Sequence, residues 1–201
     1  MQTLRSFLSL CLLTALSLSL STPASAADEG ALKVGEFTFK ATAPWKSKDS
    51  APRPMSQGGF SLPGAEGAKA MDADFYHFGN GQGGDVEANV TRWKGQFQPA
   101  EDGTAVKFDR EEWLFGKKKK VTLVILQGTF LSGSPFGAKT PVPDSAMIGA
   151  ILESDTGHVF VKFTGPQKEI LASREAFIKL LGTAYADAPT KVKPAADEKA
   201  K

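Results

Sequence analysis

The chain has 201 residues, with 24 lysines and arginines against 22 aspartates and glutamates, and a formal charge of +2 at neutral pH. That near balance gives no basis for nucleic-acid binding or for a strongly acidic partner, both of which need an excess of one sign. A single cysteine, Cys11, excludes an internal disulfide framework.

In chain order, Met1–Ala26 comes first and reads as a secretory signal peptide: Arg5, an apolar run from Phe7 to Leu20, Pro23, and the small-residue site Ala24-Ser25-Ala26. The run is shorter than the roughly 20 residues that a membrane-spanning helix needs. Cys11 as a lipid anchor is disfavoured, because Leu8-Ser9-Leu10 stands where small residues are wanted. Cleavage after Ala26 leaves an exported chain without a thiol, so thiolate metal ligands and a cysteine nucleophile are out of reach. Asp187–Lys201 has no apolar periodicity and reads as a disordered charged tail. About 150 residues remain, enough for one domain with its own core, spanning residues 33–186.

Gly35–Lys40 alternates as a strand, with Phe37 and Phe39 on one face, until Ala43-Pro44-Trp45 stops it. The proline- and glycine-rich Ser50–Gly59 is a loop before a short strand at Phe60–Leu62. Met71–Phe78 is a longer strand, followed by the glycine loop Gly79–Gly84. Val86, Val90, Trp93 and Phe97 then recur at helical spacing behind an N-cap at Asp85, and Pro99 predicts the helix end near Phe97.

Val106–Phe115 and Val121–Phe130 read as a hairpin with a charged tip, Lys117–Lys120. Both alternating sets of the second strand are largely apolar, so it needs cover on both faces. Ser132–Ser145, with Pro135, Pro141 and Pro143, reads as a long loop. Ala146–Ser154 and His158–Phe163 form another hairpin, and Phe177, Leu180, Leu181 and Ala184 mark a last helix over Ser173–Tyr185. With no strict βαβ alternation, the expected class is α+β: a mostly antiparallel sheet flanked by helices.

Gly79, Gly81 and Gly84 match G-x-G-x-x-G between a strand and a helix, the context of a dinucleotide fingerprint. An exported chain without a parallel βαβ unit, whose acids Glu101 and Asp102 lie in a loop, favours a tight turn instead, and no cofactor is expected. Asp72 and Asp74 with His77 suggest a metal cluster, but Asp74 and His77 point to opposite faces of a strand, and no metal site is assigned. Two histidines and no G-x-S-x-G elbow leave a catalytic triad or zinc hydrolase nothing to build on, and the adjacent Glu111 and Glu112 face apart. An enzyme is therefore the minority reading.

The lysine tip Lys117, Lys118, Lys119 and Lys120 could touch an anionic membrane surface weakly, although a solvated hairpin tip is the commoner meaning of such a run. Asn89-Val90-Thr91 fits a glycosylation sequon but falls inside the helix and is taken as chance. Asn89, Arg92 and Gln96 share the helix face away from Val86, Val90 and Trp93, and together with Gly81, Gly83 and Gly84 they form the candidate partner-binding surface. The bland alternative has Trp93 in the core and these polar groups solvated or bracing the glycine loop.

Phe37-x-Phe39 with Ala43-Pro44-Trp45, GQGGDVEANVTRWKGQF from Gly81 to Phe97, Leu126–Phe130, and Phe160–Pro166 before a last helix together resemble a group of uncharacterised exported bacterial proteins. Their element order in turn resembles the PsbP-like fold, an antiparallel sheet between helices, known from the extrinsic P subunit of the oxygen-evolving complex. The resemblance covers residues 33–186 and implies a non-catalytic domain that docks on a protein or membrane-associated assembly. It transfers no ligand residue. The alternative expectation is a periplasmic protein that binds a small ligand or metal.

Overall fold

The computed structural model describes residues 30–48, 55–64, 70–116, 119–133 and 137–192. The expected leader, Lys117 and Lys118 of the lysine tip, and the tail beyond Val192 lie outside the described residues.

The chain opens with a hairpin, β1 (Ala31–Val34) and β2 (Phe37–Lys40), turning at Gly35, whose φ of 58° suits a residue without a side chain. Alternation buries Phe37 and Phe39 as the sequence predicts, while β1 goes unpredicted because only Leu32 and Val34 mark its inner face. The short β3 (Lys46–Ser47) and β4 (Gly58–Leu62) lead to β5 (Met71–His77), the glycine loop and helix α1 (Val86–Lys94). There follow β6 (Phe97–Gln98), β7 (Lys107–Phe115), β8 (Lys119–Ser132), β9 (Thr140–Leu152) and β10 (Val159–Pro166). Helices α2 (Gln167–Ala172) and α3 (Arg174–Gly182) precede a short β11 (Thr190–Lys191).

One large sheet runs in the order β11-β7-β8-β9-β10-β5-β4-β3, with β6 joining β8 beyond the end of β7, and every pairing among the described strands is antiparallel. The protein is thus a mixed, sheet-dominated fold with few helices. The central strand β8 carries buried side chains on both faces, as its sequence requires. Val121, Leu123 and Ile125 join the larger core under β1–β2, α2 and α3, while Val124 and Leu126 join a smaller core under α1. In the larger core Phe163 stacks on Phe177 at 5.3 Å, Trp45 meets Phe163 edge-on at 5.2 Å, and the indole N–H of Trp45 donates to Ala176 O at 3.1 Å.

Several boundaries differ from the sequence reading, among them the start of β4, which takes in Gly58 and Gly59 of the expected loop. Helix α1 stops at Lys94, where the Gly95 N–H closes onto Thr91 O, and Phe97 leaves the helix to pair with Phe130 in the sheet. The expected loop Ser132–Ser145 is in large part strand, since β9 begins at Thr140. A second helix, α2, starts directly after Pro166, where a proline is well tolerated at the entry of a helix. The expected tail is ordered as far as Val192: β11 pairs with β7, and the Val192 N–H donates to Glu112 O at 2.8 Å.

Candidate functional site

The segment between β5 and α1 is a chain of turns. Gly79, Gly81, Gly83 and Gly84 all have positive φ, at 89°, 69°, 84° and 82°. The Gln82 N–H donates to Gly79 O at 3.2 Å and closes the first turn. At Gly83 a close approach adds to the conformational demand: a Cβ there would lie 2.7 Å from the Phe78 ring and 2.9 Å from that of Phe160. Asp85 caps the helix as predicted, its carboxylate accepting the Ala88 N–H at 2.7 Å.

Asn89 is fully buried. Its amide donates to Gly83 O at 2.9 Å and to Asp85 O at 2.8 Å, and its carbonyl oxygen accepts from Arg92. Asn89 therefore braces the glycine loop from within the first turns of the helix, and its burial keeps the acceptor amide of the sequon away from solvent. The loop serves as a structural turn: the Asp85 carboxylate already takes the Ala88 N–H at the start of α1, and β5 runs antiparallel to both of its neighbours, unlike the strand that opens a dinucleotide-binding unit.

Trp93 packs on the sheet at Gly149, which makes room for it; a Cβ at Gly149 would sit 2.4 Å from the indole ring. Arg92 stays exposed on the outer side of α1, and Gln96, half-buried, accepts from the ammonium of Lys162 at 2.6 Å. Of the six predicted site residues, the structure thus ties Asn89 to Arg92 and to Gly83, sends Gln96 to β10, and leaves Gly81 at the tip of a turn, with Gly84 at the helix entrance.

Lys162 opens onto polar groups that sequence reasoning did not connect. It faces Asp74 across β10 and β5 in register. Lys48, whose side chain is only 6% exposed, reaches over the same sheet face to Asp74 at 2.7 Å and Asp72 at 2.9 Å, and Ser61 donates to Asp72 at 2.6 Å. Burial works against the charge on Lys48, but the hydrogen bonds and charges of Asp74 and Asp72 prevail and raise its pKa above 10.5. His77 lies on the opposite face, as alternation predicts, beside Gly35 and within 3.2 Å of His158 O. The signal for this strip was a lysine amid the apolar residues of β10, opposite an aspartate amid those of β5.

At the far end of α1 the sheet extends into an arm. The Leu131 N–H donates to Gln96 O at 2.8 Å, Phe97 pairs with Phe130, and their rings lie 5.3 Å apart. A bulge between Gly128 and Phe130 redirects β8, and its last residues pair with Thr140–Val142 of β9. On the N-terminal side of Ser145, β9 has β8 on one side only, because β10 ends opposite that residue. Since Leu131 points its N–H towards β6, alternation puts the nitrogens of Pro141 and Pro143 on the open side of β9, where no donor is required. Prolines thus sit inside this strand and blunt its edge. Val142 is 41% exposed at the tip and Phe130 half-buried beside it.

The lysine tip is charge-balanced among the described residues. Lys119 lies 3.7 Å from Glu36 and 4.0 Å from Asp155, and Lys120 lies 3.0 Å from Glu112 and 4.0 Å from Glu153. Together with Ser154 and His158 these lysines border an open hollow of about 220 Å³, and a second open hollow of about 460 Å³ lies between Asp144 and α2. No described helix is long and apolar enough to cross a membrane. No protein-family model matches the chain, and no curated protein is significantly similar to it.

Proposed function

We propose that this chain is an exported, non-catalytic binding module that docks on a protein or membrane-associated assembly of the cell envelope. The docking surface is the outer side of α1 together with the β8–β9 arm. The observation that carries this reading is the β6–β8 junction: Phe97 against Phe130 joins the helix face and the proline-rich stretch, far apart in sequence, into one continuous surface. That surface has an exposed apolar tip at Val142 and a polar shoulder at Arg92, a mixture typical of protein-binding patches. The leader-like Met1–Ala26 supports export. Helices on both faces of an antiparallel sheet support a PsbP-like layout, which by analogy favours an accessory role over a catalytic one. Charge balance around Lys119 and Lys120 favours a protein partner over anionic lipid.

Photo-crosslinking in intact cells tests the proposal. A photoreactive residue at Thr91 or Val142 should capture the same protein, one at Lys179 on α3 should not, and Val142→Glu should abolish the adduct from position 91. Equal capture from all three positions, or none from 91 and 142, would overturn it.

A further inference from the structure

We infer that Asn80 is a site of spontaneous modification, converting to aspartate and isoaspartate through attack by the backbone nitrogen of Gly81. The sequence contains two asparagines, Asn80 and Asn89, and the fold treats them oppositely. Asn80 is exposed at the tip of the Gly79–Gln82 turn and is followed by glycine. The turn's hydrogen bond is made by the Gln82 N–H, so it does not tie up the Gly81 nitrogen. No described atom outside Asn80–Gln82 lies within 4 Å of where a Gly81 Cβ would be, so the tip of the turn is open. The stem of the turn is held in place, since Gly157 packs so tightly on Gly79 that a Cβ there would lie 2.4 Å from the carbonyl oxygen.

The chemistry needs only water. The Gly81 nitrogen bonds to Cγ of Asn80, the Cγ–amide bond breaks, and ammonia leaves with the proton that the Gly81 nitrogen gives up. Water then opens the cyclic imide at the side-chain carbonyl to give isoaspartate's counterpart with the ordinary backbone, or opens it at the main-chain carbonyl to give isoaspartate itself. Nothing is oxidised or reduced.

Two other residues serve as internal controls. Asn89 is fully buried in a helix, its amide is held by Gly83 O and Asp85 O, and its follower is the β-branched Val90. Asp102, which also precedes a glycine, accepts the Thr104 N–H at 2.8 Å, and that hydrogen bond holds its carboxyl below the usual range, in the ionised form that resists attack. The modification adds a carboxylate to the glycine loop at the edge of the α1 surface. It does not depend on what that surface binds.

The test is peptide mapping of the purified full chain held at mildly alkaline pH, with isoaspartate quantified separately. The expected result is a mass gain of one amide-to-acid conversion on the peptide containing Asn80, with isoaspartate among the products and Asn89 unchanged. Gly81→Ala should slow the conversion by an order of magnitude, and Asn80→Gln, a surface change, should remove it. If Asn80 stays intact in the folded chain while it converts in denaturant, or if Asn89 converts as fast, the inference fails.

Discussion

Trp93 and Arg92 are sequence neighbours with opposite fates, and the difference is one of helix phase. Trp93 points into the smaller core with 2% exposure, whereas Arg92 faces solvent and touches the rim of Asn89. Trp93→Ala should therefore cost about 3–5 kcal/mol in urea unfolding, and Arg92→Ala less than about 1 kcal/mol. Gly149→Ala should destabilise as well, because its methyl group would enter the space of the indole ring; wild-type stability would mean that Trp93 does not rest there. The phase is legible from Val86, Val90 and Trp93, which recur at helical spacing, as is the N-cap at Asp85. The inward turn of Asn89 is not. Its spacing reads as the face away from Val86, Val90 and Trp93, but the carbonyls of Gly83 and Asp85 hold its amide inside.

At the scale of elements, Glu111 ties three together. It accepts from Lys191 of β11 at 2.6 Å, from Trp113 of its own strand at 3.0 Å, and from Arg174 of α3. Burial acts to raise its pKa, but the hydrogen bonds from Lys191, Trp113 and Arg174, with the charge of Arg174, outweigh burial and hold the carboxyl below the ordinary 4.5. A depressed carboxyl contributes stability that is fully present above its unfolded value and is lost as the pH falls through its folded value. Stability should therefore decline as the pH drops below 4.5. Glu111→Gln should cost roughly 2 kcal/mol at neutral pH and flatten that decline, as read by denaturant titrations across the acid range. An unchanged acid profile in the variant would remove Glu111 from this role. Strand alternation correctly sets the adjacent carboxylates facing apart, but two of the three partners of Glu111 come from α3 and β11, more than sixty residues away. The β9 arm is hidden for a different reason: Pro141 and Pro143 read as loop signals, and only the pairing geometry puts their nitrogens where no donor is needed.

For the whole molecule, the composition of strand β8 dictates the architecture. Apolar residues on both of its faces demand two cores, and the sheet duly buries Leu123 under α3 and the β1–β2 hairpin and Val124 under α1. The proposed export belongs to the same scale and rests on the leader-like Met1–Ala26. The protein recovered from the exported fraction should begin at Ala27 by intact mass, and retention of Met1–Ala26 there would contradict cleavage. In the proposed mode of docking, one surface, built from the outer side of α1 and the β8–β9 arm, meets the partner. Hydrogen–deuterium exchange of the purified protein, alone and mixed with solubilised cell envelope, tests it most directly. Slowed exchange is expected over residues 91–98, 129–133 and 137–144, with α2 and α3 unaffected; no slowing, or slowing confined to α2 and α3, would refute a shared docking surface.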